Sequence, residues 1–144
     1  MKILLDTSVL VAAMIEAHPA HVRALPWLQR IKQSKDSGLV SAHSIAELYA
    51  ILTTLPMKPR ISPAIAYDLI RRNVIELCDV ATLSAADYSE LTKHLSQERI
   101  IGGVTYDAVI LYAAIKGQAD RIVTLNENDF RSIFPKLALP IVSP

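Results

Sequence analysis

The chain has 144 residues, 51% of them hydrophobic, and a formal net charge of +1 at pH 7, so its size predicts one domain over residues 1–144. The balanced charge gives the protein as a whole no strong attraction for nucleic acid, so such a partner would need a local basic patch or a bound metal. The absence of any membrane-length apolar run or signal-peptide pattern predicts a cytoplasmic protein without a membrane partner. The single cysteine, Cys78, excludes an intramolecular disulfide and a cysteine zinc cluster, and is expected to be a small core residue.

The first element is a short apolar run that ends at a carboxylate. Residues 3–5 are typical of a strand buried on both faces in a parallel sheet. Thr7 and Ser8 are good N-cap residues, and the apolar stretch 9–15 that follows them predicts a helix. Asp6 is therefore expected at a strand-to-helix junction, where parallel sheets bind their ligands. The alternative is that Asp6 only caps the helix.

The next elements alternate between helices and a short strand. Helical spacing of apolar residues predicts a second helix over about 19–33, in which Pro26 implies a late start or a kink. The side chains expected to face inward in this helix are Val22, Leu25, Leu28 and Ile31. A very short strand is predicted at 39–40, and a third helix begins at 41–44.

The second half of the chain continues this alternation. The predicted elements are a fourth helix from Ser62-Pro63 to about Asn73, a strand over 74–80, a fifth helix over 84–97 with Tyr88, Leu91 and Leu95 inward, a sixth helix over 104–116, a strand over 121–124 and an edge strand over 139–142. The sixth helix is apolar nearly all round and should be buried. Short strands alternating with helices predict a three-layer α/β/α sandwich with a mainly parallel central sheet.

Glu47 has both a structural and a functional interpretation. Ser44 and Glu47 fit the S-x-x-E capping box, in which the glutamate reaches back to a backbone N–H. His43 lies four residues before Glu47 on the same helical face, so a His/Glu metal pair is conceivable. No second histidine follows at the spacing of a zinc helix, which favours a surface or core role for His43.

Two further acidic positions lie where a charge is costly or useful. Asp107 lies in the first turns of the apolar sixth helix, where an isolated charge would carry a desolvation penalty and would need a partner. The alternative is a favourable interaction with the helix dipole, worth about 0.3–1 kcal/mol. Residues 126–129, of sequence Asn-Glu-Asn-Asp, follow the strand over 121–124 and could equally form an Asx turn.

These acids are more informative together than singly. Parallel strands would bring Asp6 and the 126–129 loop side by side, and Glu47 and Asp107 lie near helix N-termini on the same edge. Several carboxylates without compensating lysine or arginine repel one another, so they require protons or cations among them. An all-oxygen ligand set favours Mg²⁺ or Mn²⁺, and carboxylate-bound Mg²⁺ commonly recruits phosphate oxygens. The pattern therefore indicates phosphodiester hydrolysis.

Four stretches of the chain resemble the motif regions of PIN-domain ribonucleases, especially the VapC-type toxins of toxin–antitoxin pairs. They are Leu4–Leu10, Ser44–Leu48, Tyr106–Ile110 and Val123–Phe130. Each motif is short, but the four occur in order over nearly the whole chain. The resemblance implies a PIN-like fold, a metal-dependent endoribonuclease, an RNA substrate, a homodimer and a cognate antitoxin that inserts a segment into the acidic cleft.

The resemblance also implies roles for individual residues. The predicted catalytic and metal-binding residues are Asp6, Glu47, Asp107 and Asp129, and the predicted supporting residues are Thr7, Ser8, Thr124 and Asn126. Many members of the family carry an aspartate where Asn126 stands, so the fourth ligand is either Asn126 or Asp129, and we favour Asp129. One or two Mg²⁺ or Mn²⁺ ions would be bound, with Glu47 as a direct ligand or through water.

Two other functions fit parts of the pattern. An Asp-nucleophile phosphatase would use Asp6, but such enzymes carry a second aspartate two residues on, where this chain has Ser8. A non-catalytic RNA- or protein-binding module could share the scaffold, although such modules can lose acidic ligands that this chain retains.

Overall fold

The computed structural model describes residues 1–144 and contains five strands and seven α-helices. The strands are β1 (Lys2–Leu5), β2 (Ser37–Ser41), β3 (Cys78–Ala81), β4 (Arg121–Val123) and β5 (Ile141–Val142). The helices are α1 (Thr7–Met14), α2 (His21–Lys32), α3 (Ala42–Thr54), α4 (Pro63–Ile70), α5 (Ala85–Gln97), α6 (Val104–Lys116) and α7 (Glu127–Ile133). None of these helices combines the length and hydropathy needed to cross a lipid bilayer.

The strands form one sheet in the order β3-β2-β1-β4-β5, and every neighbouring pair is parallel. The chain moves outward from β1 through β2 to β3, and then returns to place β4 on the other side of β1. The strand order therefore reverses between β1 and β4. In open parallel sheets this reversal leaves a crevice beyond the carboxyl ends of the two strands.

Successive side chains of β1 point to opposite faces of the sheet, and both faces are buried, which explains why the strand is apolar without a break. Ile3 and Leu5 belong to a core formed with residues of α1, α2, α3 and α4, whereas Leu4 belongs to a second core formed with α5, α6 and α7. Both faces of the sheet are thus covered by helices. The predicted three-layer α/β/α sandwich is confirmed, with a sheet that is parallel throughout.

Several local predictions were wrong for physical reasons. The strand predicted over 74–80 begins only at Cys78, because residues 71–75 continue α4 as a π-helical turn. Val22 and Tyr88, expected to face inward, are 82% and 44% exposed. In α2 the buried stripe runs instead through Ala24, Leu28 and Ile31, and Pro26 lies inside the helix.

Residues 127–133 form α7, although residues 126–129 were expected to form a polar loop. The helix is held by Phe130 and Ile133, which are fully buried against α6 in the second core. Cys78 is half-buried, and burial raises the pKa of its thiol to about 11, which agrees with its predicted packing role.

Candidate acidic metal site

Asp6 occupies the crevice that the strand reversal creates. Leu5 pairs with Val123, and the backbone N–H of Asp6 donates to the Val123 carbonyl over 3.0 Å, so the ends of β1 and β4 are side by side as predicted. The Asp6 side chain is 2% exposed. It is the N-cap residue of α1 by position, yet its carboxylate makes no capping hydrogen bond to the helix. The capping interpretation of Asp6 therefore does not account for its burial.

Two hydroxyl groups fix the Asp6 carboxylate. Ser8 Oγ donates to Oδ2 over 2.5 Å, and Thr124 Oγ1 donates to the same oxygen over 2.8 Å. Thr124 Oγ1 also accepts from the backbone N–H of Asn126 over 2.9 Å, and Ser8 Oγ accepts from that of Leu125 over 3.1 Å. Both hydroxyls therefore tie Asp6 to the chain that follows β4.

Asp107 lies in the first turn of α6 and is partly buried. Burial, and after it the charges of Asp6, Asp129 and Glu47, together raise its pKa to about 7. Burial likewise raises the pKa of Asp6 against the hydrogen bonds from Ser8 and Thr124, and Glu47 adds a smaller repulsion. The four predicted acids thus lie within electrostatic range of one another, and we call them the acidic centre.

No lysine or arginine neutralises the core of the acidic centre. Every salt bridge in the structure involves other acidic residues, except that between His43 and Glu47, so Asp6, Asp107 and Asp129 form none. No three of the chain's His, Cys, Asp and Glu side chains are grouped closely enough to hold a metal ion as they stand. Their chemistry nevertheless fits a hard divalent cation, because carboxylate oxygens that repel one another are stabilised by such an ion.

Glu47 is held by His43 and not by a capping box. Ser41 is the N-cap of α3, so the predicted capping role of Ser44 is wrong. Ser44 is buried and accepts a hydrogen bond from Thr7 Oγ1 over 2.9 Å, which places the predicted supporting residue Thr7 against α3. His43 Nε2 donates to Glu47 Oε2 over 2.8 Å, an interaction that the i,i+4 spacing on α3 made possible.

The loop after β4 gives the acidic centre an open side. Asn126 and Asp129 are both exposed, and a pocket of about 470 Å³ is lined by residues 125–129. Asn126 precedes α7 but its side chain does not cap the helix, so the Asx-turn interpretation has no hydrogen bond in its favour. Of these two residues, Asp129 is the one whose charge acts on Asp107.

One residue of the region was missed by sequence reasoning. The ring of Tyr106 stacks on that of His43, with centroids 5.4 Å apart and planes inclined by 4°. Tyr106 directly precedes Asp107, but its pairing with a side chain on another helix could not be read from local sequence.

Several known proteins resemble this chain in sequence. The sequence matches the PIN domain family over residues 3–133. Ribonuclease VapC40 of Mycobacterium tuberculosis is 33% identical over 129 residues, which cover 89% of this chain and 87% of that protein. Ribonuclease VapC27 of the same organism is 30% identical over 115 residues, which cover 80% and 78%.

Solved structures show the same fold at lower identity. VapBC2 from Rickettsia felis, bound to a DNA fragment from its promoter, aligns with a TM-score of 0.67 at 22% identity and covers 100% of this chain and 99% of that one. FitAcB from Neisseria gonorrhoeae aligns with a TM-score of 0.68 at 16% identity and covers 96% and 95%. With the sequence matches, these findings show that the chain belongs to the PIN-domain family as a relative of the VapC ribonucleases, which confirms the resemblance of its four motif regions.

Proposed function

We propose that the protein is a metal-dependent endoribonuclease and the toxin of a toxin–antitoxin pair. The observation that supports this proposal is that the charges of Asp6 and Asp129, which come from other segments of the chain, act on Asp107, while none of the three acids forms a salt bridge with lysine or arginine. The identity of 33% to Ribonuclease VapC40 over 89% of the chain supports RNA as the substrate class.

In this proposal some residues would bind the cation directly and others would orient those ligands. Asp6, Asp107 and Asp129 would hold Mg²⁺ or Mn²⁺, with Glu47 as a direct ligand or through water. When bound, the ion supplies an acidified water and neutralises charge on the phosphate. Ser8 and Thr124 orient the Asp6 carboxylate, and His43 orients that of Glu47. Asp107 must release its proton when the cation enters, so cation affinity should rise with pH.

An antitoxin protein and a second copy of the chain are the proposed partners. The described relatives VapBC2 and FitAcB support the existence of such an antitoxin, whose inserted segment would meet the unpaired carboxylates. An exposed apolar groove of about 460 Å³ is available for protein contact. It is lined by Ala42, Ile45, Ala46, Tyr49, Tyr67, Ile70 and Ile75.

The test is cleavage of RNA by the purified chain with Mg²⁺ or Mn²⁺, with EDTA, and after the cation is restored. We expect cleavage with either cation, products carrying 5′-phosphate and 3′-hydroxyl ends, loss with EDTA and recovery on adding metal back. Cleavage that persists unchanged in EDTA would contradict the proposed mechanism, because the carboxylates alone cannot acidify a water.

Thr124→Val tests the hydrogen bond that orients Asp6. The substitution keeps the side-chain shape but removes the hydroxyl that donates to Asp6 Oδ2, so we expect metal affinity or activity to fall by about 10- to 100-fold. The measurement is the Mg²⁺ concentration that gives half-maximal cleavage. Thr7→Val is the matched variant, because it removes a buried hydroxyl that donates to Ser44 instead. An equal effect of both variants on the Mg²⁺ requirement would contradict a specific role for Thr124.

The geometry weighs against the phosphatase alternative. Asp6 Oδ2 accepts two hydrogen bonds, and no second aspartate follows two residues on, as such a phosphatase requires. Ser8, which stands where such phosphatases carry their second aspartate, is one of the two donors.

A further inference from the structure

Tyr106 and His43 form a pair of stacked aromatic rings beside the acidic centre. Their planes are inclined by only 4°, and a centroid separation of 5.4 Å corresponds to an offset stack. The pair joins the first turn of α6 to the first turn of α3. Tyr106 is the residue before Asp107, and His43 is bonded to Glu47, so each ring is attached directly to a member of the acidic centre.

The position of Tyr106 is unusual for a large aromatic residue. Its side chain is 56% exposed although one face lies against His43, which leaves the opposite face open to solvent. Gly102 and Gly103, which precede it, carry no side chain, and a Cβ added at either would meet nothing within 4 Å. The exposed part of the ring is therefore not covered by side chains from these two positions, and it lies one residue from Asp107.

The ring is also held in place before any ligand arrives. The His43 imidazole is fixed by its 2.8 Å hydrogen bond to Glu47, and Tyr106 packs on that fixed imidazole. An exposed aromatic face that is already ordered loses little conformational freedom when a flat ligand stacks on it. Nucleobases are flat ligands of this kind, and every base offers a face for stacking.

We propose that the open face of Tyr106 is a stacking site for an unpaired nucleobase of the RNA substrate, adjacent to the phosphate that is cleaved. This inference rests on the proposed function, because it places the RNA strand relative to the acidic centre. Tyr106 contacts the base, and His43 acts as a positioning residue that backs the ring. Stacking tolerates all four bases, so the site fixes the path and single-stranded character of the RNA more than its sequence.

Binding of a single-stranded oligoribonucleotide containing fluorescent 2-aminopurine tests the stacking site directly. The titration uses the full chain at pH 6 with EDTA, so that it does not depend on metal-dependent cleavage. We expect stacking to quench the fluorophore with the unaltered protein and with Tyr106→Phe. Tyr106→Leu, which keeps an apolar side chain without a ring, should bind about 5- to 150-fold more weakly and lose the quenching.

Tyr88→Leu is the matched control, because Tyr88 is an exposed tyrosine near the start of another helix and has no stacked ring partner. We expect this variant to bind and quench as the unaltered chain does. Equal binding and quenching by Tyr106→Leu and the unaltered chain would overturn the stacking site, as would equal losses in Tyr106→Leu and Tyr88→Leu. Failure of the unaltered chain to bind the oligonucleotide would also overturn it.

A second measurement places the stacked base relative to the cleaved bond. In cleavage assays with Mg²⁺, one base at a time is removed from the oligonucleotide to leave an abasic nucleotide. Removal of the base next to the cleaved phosphate should slow cleavage by the unaltered chain about as much as Tyr106→Leu does, and should have little further effect on that variant. Additive losses at every position would contradict the stacking site.

The two experiments separate this inference from the proposed function. Quenching that depends on Tyr106 without any metal-dependent cleavage would support the stacking site and refute the nuclease. Metal-dependent cleavage with no dependence on the Tyr106 ring would refute the stacking site and leave the nuclease intact.

Discussion

Asp107→Asn and Asp6→Asn are each expected to lower RNA cleavage by at least about 1,000-fold, because metal-ion catalysis is worth several kcal/mol. Each substitution replaces a charged oxygen ligand with a neutral amide of nearly the same shape. The repulsion among the remaining carboxylates also falls, so the need for a cation falls with it. The measurement is the single-turnover cleavage rate at saturating Mg²⁺, with folding checked by circular dichroism.

The matched control for these variants is Asp79→Asn. Asp79 is an exposed aspartate in β3 that forms no salt bridge and does not act on the pKa of Asp107. We expect its cleavage rate to stay within about twofold of the unaltered chain, as is usual for exposed substitutions away from a site. Near-normal cleavage by a folded Asp6→Asn or Asp107→Asn protein would refute the assignment of the acidic centre.

The metal-free protein is expected to lose stability as the pH rises from about 4 to about 7. The pKa of Asp107 is about 7 in the folded protein, well above its ordinary value of 3.8, so the folded state binds a proton that the unfolded state has already released across this interval. The free energy of unfolding therefore falls with increasing pH and levels off above pH 7. A pKa shift of this size corresponds to a change of about 4 kcal/mol in the free energy of unfolding. Because Asp107 is only partly buried, solvent screening lowers the expected change to about 2 kcal/mol.

Thermal unfolding in EDTA at several pH values measures this effect. The unaltered chain should unfold about 6 °C lower at pH 8 than Asp107→Asn, and the difference should shrink toward pH 4. At pH 8, Mg²⁺ should raise the unfolding temperature of the unaltered chain and have little effect on Asp107→Asn. The prediction would be contradicted if the unaltered chain were as stable at pH 8 as Asp107→Asn and did not respond to Mg²⁺. The ionised carboxylates would then not destabilise the metal-free fold.

The elements that sequence predicted well are those defined by strong local patterns. The helix over 104–116 was placed at its observed bounds because it is apolar nearly all round and is followed by Gly117. The buried strand before Asp6 was clear because residues 3–5 must face two cores at once. Three of the four acids of the acidic centre stood out because a carboxylate in such apolar or strand-end surroundings is costly without a partner.

What sequence could not predict depends on contacts between distant segments. Helix α7 begins with polar residues typical of a turn, and its stability comes from burying Phe130 and Ile133 in a core formed mainly by other elements. The sequence around Ser44 is typical of an N-cap, but its hydroxyl accepts a hydrogen bond from Thr7, which lies on another helix. The stacking of His43 on Tyr106 joins two helices that are far apart in sequence. Tertiary packing thus overrode local pattern at each of these positions.

The pairing of β1 with β4 has a consequence for how the protein is made. Asp6 is synthesised before the strand that closes its crevice and before Thr124, whose hydroxyl follows 118 residues later in the chain. Asp129 comes later still, so the acidic centre cannot assemble on a growing polypeptide until residue 129 has been synthesised and β4 has paired with β1. Until that pairing forms, a nascent chain holds Asp6 and Asp129 apart and carries no assembled acidic centre.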